Sequence, residues 1–371
     1  MNMPPVFVMS FNRPDYLSKV LESLKHQGKD LEGREIHLFQ DNAVNRFSGK
    51  RRAADDVIRA CINIFLKHFP RGKCHIAPYN LGVCLNFERA EQYAFAQREF
   101  DVAYFFEDDM VLGPHYLGVM DAMAKEVKSR PHIAYFAAYG NHLNNIKIQE
   151  DNKKSLVSMH NNWGFGITNN HWQDMRKFIS PYIDMLAECD YAERPHAKIF
   201  EWYKSLGFGP EYSSQDAAKW TATTYLGRQR VSSLICNAIY IGKNGLHMNS
   251  AMYEHMGYEQ AQIFPYLFTD FEYPNAEKVT QESAKELERA RGIARDVIPG
   301  LINRYNNIGC ERSFMGAAVS KEDVTYLYRC LLGRDPESEE TIIRCVNSEI
   351  SFEALRRKMM ASEEFKQKQA R

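Results

Sequence analysis

The sequence predicts an α/β protein: a mostly parallel, Rossmann-like sheet flanked by helices, then a small α-helical segment at the carboxyl end. Three observations carry this expectation. Short apolar runs alternate with helical stripes from Val6 to Ala137, the pattern of parallel strands joined by right-handed crossovers. Several of those runs stop abruptly at polar or acidic residues, at the strand ends where open α/β sheets bind ligands. The last stretch has apolar residues at helical spacing and no strand signal.

Taken in order, Val6–Ser10 reads as an apolar strand, and Pro14 suits the first turn of a helix whose stripe is Leu17, Val20, Leu21 and Leu24. Glu35–Gln40 is a second strand, ending at Asp41 and Asn42. Ala53–Phe69 has a helical stripe at Val57, Cys61 and Ile64, and Cys74–Ile76 is a short strand. Asn80-Leu81-Gly82 makes a turn before a helix over Val83–Ala96. Val102–Phe106 is a strand, followed by a helix over Tyr116–Val127 and a strand over Ile133–Ala137. Beyond it, Trp163–Ile167 reads as a strand loosened by glycines, His171–Ile179 as a helix, and 195–225 as helices around Gly207 and Pro210. Val231–Tyr240 reads as one apolar strand. Residues 256–277 are aromatic without a clear period and suit a wrapping segment, and Lys278–Ala294 is a charged helix.

Composition narrows the class. The chain has 371 residues, 44% hydrophobic and 25% charged, as in ordinary globular proteins. Lys plus Arg and Asp plus Glu both number 47, so bulk charge gives no support for nucleic-acid binding. The eight cysteines form no CxxC pair, which speaks against a zinc cluster and reads as free thiols in a reducing compartment. Neither a signal peptide nor a span of ~18 apolar residues is visible. The expectation is a cytoplasmic protein, with peripheral attachment at the inner face of the membrane left open.

The most informative segment is Tyr104-Phe105-Phe106-Glu107-Asp108-Asp109-Met110. Three adjacent carboxylates repel one another, so grouping them has no structural merit. At a strand end they can hold Mg²⁺ or Mn²⁺, hard ions that prefer carboxylate oxygen and keep positions open for substrate phosphates. A solvated strand-to-loop junction is the bland alternative. Arg13 follows the first strand at the same edge, where a guanidinium can grip a phosphate with two donors. Asp41 ends the second strand, where Asp also serves as a turn or helix cap.

Taken together, Phe7-Val8-Met9-Ser10-Phe11-Asn12-Arg13-Pro14, Gln40-Asp41-Asn42, Asn80-Leu81-Gly82 and Glu107-Asp108-Asp109 resemble, in order and spacing, a nucleotide-sugar glycosyltransferase of the GT-A fold. The likeness is to the inverting N-acetylglucosaminyltransferase I type and, more broadly, to glycosyltransferase family 2. It covers roughly residues 5–255 and is strongest before 112. The resemblance implies a donor site built from Asn12, Arg13, Asp41, Asn80, Gly82, Glu107 and Asp108. Within it Asp41 accepts from the N–H of uracil, Asp108 lies near ribose or sugar hydroxyls, and Glu107 contacts the donor sugar or supports the residues that hold the metal. It makes Asp109 the direct ligand of Mn²⁺ or Mg²⁺, with His247 completing the metal site or touching the diphosphate. UDP-linked donors, UDP-GlcNAc in particular, rest on the resemblance alone.

Inverting transfer needs a general base close to the acceptor hydroxyl. Asp216, in Ser213-Ser214-Gln215-Asp216-Ala217, is the first candidate, and Asp190, Glu201 and Glu211 are weaker ones. An acid in a first helical turn is also favoured by the helix dipole alone. Lys243 could bind phosphate from its glycine-rich loop. Trp163 and Gly164 suit an acceptor-side wall, an aromatic face for a sugar ring beside a residue that leaves room, although Trp163 suits the core equally.

The expected organisation is a transferase domain over 1–255, a wrapping segment and connector over 256–318, and a helical module over 319–371. In the last, Leu327–Pro336 resembles the DUF4214 module, read as a contact for an acceptor, a protein or the membrane. The expected partners are a nucleotide-sugar donor and a glycan, lipid-linked glycan or protein acceptor, with a homo-oligomer left open. Two other functions compete: a catalytically retired scaffold or glycan-binding protein, and a nucleotidyltransferase. The latter would carry glycines after the first strand, where Ser10–Pro14 has none.

Overall fold

The computed structural model describes residues 3–245, 248–307, 319, 321–332 and 334–347, with single positions at 355, 358, 359, 362, 364 and 365. The chain divides into two units, Met1–Ile302 and Asn303–Arg371. No helix among the described residues is long and apolar enough to cross a membrane.

The first unit is built on an eight-stranded sheet. Its strands are β1 (Val6–Ser10), β2 (Ile36–Gln40), β3 (Lys73–Ile76), β4 (Val102–Phe106), β6 (Ile133–Ala137), β7 (Leu156–Ser158), β8 (Gly164–Thr168) and β9 (Gln229–Ser233). Their order is β3-β2-β1-β4-β8-β6-β9-β7; β5 (Met110–Leu112) and β10 (Ala238–Tyr240) form a separate antiparallel pair. β3, β2, β1 and β4 run parallel, as do β6 and β9. β8 lies antiparallel between β4 and β6, and β7 is antiparallel to β9. The sheet is therefore mostly parallel, as the alternating pattern predicts, with two reversed strands that the pattern does not show.

The apolar runs make strands because both faces of the sheet are covered. Every residue of β1, β2 and β4 is buried. Side chains alternate between the faces. Val6, Val8, Leu38, Tyr104 and Phe106 join Leu17, Leu21, Leu24 and Met120 in one cluster. On the opposite face Phe7 stacks on Phe105 (ring centroids 5.1 Å apart), and Phe105 stacks on Phe165 (5.6 Å). Each fully buried phenylalanine contributes roughly 1.5–3 kcal/mol, so these layers hold the strand ends in register.

Two expectations need correction or extension. Val231–Tyr240 is not one strand. It breaks after Ser233, whose Oγ donates to the Ile235 carbonyl at 2.8 Å, and resumes as β10 against β5. The break falls just after Ser232 and Ser233, two polar residues that are buried like the apolar ones around them. The first unit also continues past residue 255. Tyr258, Phe264 and Phe271 are part of its core, and the helix Ala276–Asp296 follows.

In the second unit the helix Lys321–Leu327, the π-helical turn Tyr328–Leu332 and the helix Glu339–Asn347 are described. Val324, Leu327, Leu332, Leu355, Met359 and Phe365 cluster there, and Arg334 pairs with Glu337 and Glu364. Gly333, within the Leu327–Pro336 segment, lies outside the described residues, as does Phe352.

A Cβ placed on Gly166 of β8 would lie 2.3, 2.5 and 2.8 Å from three ring carbons of Phe136. That ring is buried and packed edge-on to Tyr104, so it cannot swing aside. Gly166→Ala is expected to lower stability by about 1–3 kcal/mol, read as a lower urea midpoint at unchanged slope. An unchanged midpoint would mean that β8 does not approach β6 this closely.

Candidate active site

Three parallel strands deliver their last residues to one edge of the sheet. The register pairs Val8 with Phe106 and Ser10 with Gln40, so the segments after β1, β2 and β4 leave together. There Arg13 bonds Asp108 and, through Nη1, reaches Asp109 Oδ2 at 2.8 Å. Both carboxylates are buried, while Arg13 keeps about a quarter of its side chain exposed. Its guanidinium lies 5.3 Å above the Tyr16 ring. Burial disfavours the charge on Arg13, but Asp108, Asp109 and Glu107 more than offset this and hold it ionised.

The acids respond to burial and to one another. Burial pushes Asp109 up to about 6, with Asp108 adding to the rise and Arg13 opposing it. Asp108 is also raised by burial, again against Arg13. Glu107 is raised most, by burial and then by the charges of Asp109, Asp216 and Asp108. Like charges at close range oppose one another's ionisation, so Glu107 is driven toward its neutral form. Asp109 Oδ1 is buried and has no hydrogen-bond partner. An unpartnered hard oxygen in a carboxylate group is where a divalent cation fits. No group of three His, Cys, Asp or Glu side chains is assembled for metal among the described residues. His247, expected to complete the site, lies outside them.

Asp216 sits in the first turn of the helix Gln215–Tyr225, capped by Ser214. It is near enough to Glu107 to oppose that group's ionisation. Asn162 Nδ2 donates to Asp216 Oδ1 at 2.6 Å. The Glu107 N–H donates to the Trp163 carbonyl at 2.7 Å, so the start of β8 and the end of β4 are tied beside this helix. The weaker candidate bases are placed otherwise. Asp190 caps the turn Tyr191–Glu193 and bonds Ser48 and Arg52; burial opposes its charge, but these partners hold it below the usual carboxylate range. Glu201 and Glu211 are exposed.

Asp41 is the hub of the loop beside the site. Its Oδ1 accepts from the N–H groups of Asn42 (2.8 Å) and Leu81 (2.7 Å), and its Oδ2 from Asn80 Nδ2 (2.9 Å) and the Gly82 N–H (3.0 Å). Burial raises it to about 6 against these donors. All four acceptor positions of the carboxylate are in use, so an incoming base N–H would have to replace one of them. Asn80 also donates to the Asn42 carbonyl at 3.0 Å. Gly82 is required by the turn: its φ is +73°, and a Cβ would lie 2.5 Å from Tyr191 Cβ. Asn12 is exposed at the same edge.

Trp163 stacks on Tyr240 with ring centroids 3.7 Å apart and meets Tyr139 and Tyr258 edge-on. Gly164 is buried, its carbonyl accepts from Tyr116 Oη at 3.0 Å, and its Cα faces Met110 and Phe106. Lys243 turns toward Glu254 (2.9 Å) and Glu259 (3.3 Å). Its loop nevertheless reaches the site, because the Asn244 N–H donates to Tyr16 Oη at 3.1 Å and a Cβ on Gly245 would lie 3.7 Å from Arg13 Nη1. Asn162, Tyr16 and Tyr240 are the site residues the sequence does not disclose. Asn162 is 54 positions from its partner Asp216, and no local spacing signals that contact.

No family model matches the chain, and no curated protein is significantly similar to it. Among solved structures it is similar to a mannosyltransferase from Pyrobaculum calidifontis in complex with GDP-Man and Mn²⁺: 11% identity, 83% of this chain, 76% of that one, TM-score 0.41. It is also similar to residues 1–349 of TarS from S. aureus (13% identity, 95% and 82% covered, TM-score 0.39) and to an active-site mutant of LgtC (11%, 76% and 96%, TM-score 0.31). These overlaps are loose.

The raised acids set a stability expectation. Asp109 has a folded pKa of about 6, above its ordinary 3.8. The neutral form therefore favours the fold; its benefit is complete below about pH 4 and is lost as pH rises through 6. At about 1.4 kcal/mol per unit, ionised Asp109 costs the fold up to about 3 kcal/mol at pH 7.5. Asp109→Asn is expected to raise stability by about 1–3 kcal/mol at pH 7.5 in chelator, and by much less at pH 4. Chemical denaturation at the two pH values measures this, and equal gains would contradict it.

Proposed function

We propose that this chain is a metal-assisted inverting glycosyltransferase of the GT-A type. On this reading it moves a sugar from a nucleoside-diphosphate donor, UDP-linked by preference, to a hydroxyl of a glycan, lipid-linked glycan or protein. The observation that carries the reading is a convergence at one sheet edge: Arg13, the buried Asp108–Asp109 pair with an unpartnered oxygen, and Asp216 in a helical first turn beside Glu107. A cationic grip for a diphosphate and a separate carboxylate for an acceptor proton are the two groups that such a displacement needs.

On this reading Asp216 accepts the proton of the acceptor hydroxyl as its oxygen attacks the anomeric carbon. The bond from that carbon to the phosphate oxygen breaks, and its electron pair leaves with the nucleoside diphosphate. Arg13 hydrogen-bonds the departing phosphate. It is already held charged at that edge, so no reorganisation is needed when negative charge develops. Asp109 would hold the Mn²⁺ or Mg²⁺ through Oδ1, with Asp108 beside it; when bound, that ion neutralises charge on the leaving group. Glu107, driven toward its neutral form by burial and by its acidic neighbours, would contact the donor sugar or support the metal ligands. The Asp41 loop, with Asn80 and Gly82, shapes the nucleoside end, and the Trp163–Tyr240 stack offers an aromatic wall to the acceptor. Residues 319–371 are proposed to contact the acceptor or a partner, and the setting is proposed to be cytoplasmic, with peripheral contact at the inner face of the membrane.

Calorimetry with UDP, GDP and their sugars, with and without Mn²⁺, tests the donor site. Metal-dependent binding of one nucleotide class is expected, weakened at least tenfold in Asp109→Ala and in Arg13→Ala. Asp216→Asn is expected to bind the same donor normally while nucleotide release falls by about 10²–10⁴-fold. Binding of no nucleotide by the unaltered chain would overturn the reading. Deletion of 319–371 is expected to leave donor hydrolysis in place and to slow transfer to the natural acceptor; unchanged acceptor kinetics would remove that role.

A further inference from the structure

Asn162 is buried where β8 begins, and its side-chain amide spans one turn of the helix Gln215–Tyr225. Nδ2 donates to Asp216 Oδ1 at 2.6 Å, and Oδ1 accepts from Trp220 Nε1 at 3.4 Å. Asp216 and Trp220 are four residues apart and so lie on one helix face. The chemistry of the partners fixes the orientation of the amide. An indole N–H only donates and an ionised carboxylate only accepts, so the amide oxygen must face Trp220 and the NH₂ must face Asp216. The indole is itself held: the Arg230 guanidinium lies 4.0 Å over its ring and donates through Nη1 to the Met159 carbonyl at 3.1 Å. From the other side, Asn162 is coupled to the acidic group by its neighbour Trp163, whose carbonyl accepts from the Glu107 N–H.

We infer that Asn162, oriented by Trp220, is a positioning residue that fixes the rotation of the Asp216 carboxylate and keeps Oδ1 committed as an acceptor. One face of the carboxylate is thereby set, and the direction from which it can take a proton is set with it. A general base needs this, because proton transfer falls off steeply with misalignment. The inference rests on the transferase reading, in which Asp216 is the base.

The test is a double-mutant cycle on the full chain in Mn²⁺, following nucleotide release from UDP-GlcNAc, UDP-Glc, UDP-Gal and GDP-Man. Asn162→Ala is expected to lower kcat by about 10- to 100-fold with KM for the donor unchanged. Trp220→Phe, which keeps the ring and removes the N–H, is expected to lower kcat less, by about threefold to tenfold. In an Asp216→Asn background neither change is expected to lower kcat further, since residues that act as one unit are not additive. Equal losses in both backgrounds, or a raised KM with unchanged kcat, would mean that Asn162 only supports the fold and would overturn the inference. Should Asn162→Ala fail to fold, the Trp220→Phe cycle decides by the same criterion. Turnover lost in Asp216→Asn but unaffected by either change overturns the positioning role alone. No turnover of any of the four donors by the unaltered chain, or full turnover in Asp216→Asn, overturns the transferase reading and this inference with it.

Discussion

Everything at the candidate site depends on how Arg13 neutralises the carboxylates at the end of β4. Asp108 and Asp109 are both buried and adjacent, and such a pair is not stable without a cation. The guanidinium meets both and also remains partly exposed toward the crevice. One residue thus makes the acidic group tolerable in the fold and leaves a charged donor at the surface where a phosphate would arrive. The neutralisation is incomplete. Asp109 Oδ1 has no partner and Glu107 is driven toward its neutral form. On the proposed reading, this deficit is what a divalent ion would fill.

The rest of the sheet serves to hold that edge still. Phe7, Phe105 and Phe165 stack across three neighbouring strands, and on the opposite face Tyr104 meets Phe136 edge-on. Because β8 runs antiparallel, its first residues, not its last, stand beside the end of β4. That reversal brings Asn162 and Trp163 to the acids. Asp41 does comparable work at the next strand end, gathering four donors from Asn42 and the Asn80–Gly82 turn. Its contribution to the site is the shape of that loop, with any contact to a nucleobase coming at the expense of one of these bonds.

The strands that carry the candidate site, and the residues at their ends, are legible in the chain alone. Short apolar runs with abrupt polar ends are local properties, so β1, β2, β4 and β6, and the placing of Arg13, Asp41 and the three acids at strand ends, follow from the chain read in order. Asp216 is likewise legible as an acid in a first helical turn. Which of these ends meet, and at what angle, is settled by packing between distant segments. The reversal of β8, the break between β9 and β10, the turn of Lys243 toward Glu254 and Glu259, and the stack of Trp163 on Tyr240 all depend on contacts between distant segments. So does the bridge from Asn162 to Asp216 and Trp220. Such contacts are chosen by packing and by the pairing of buried polar groups, which are set by the assembled surroundings. No spacing along the chain records them.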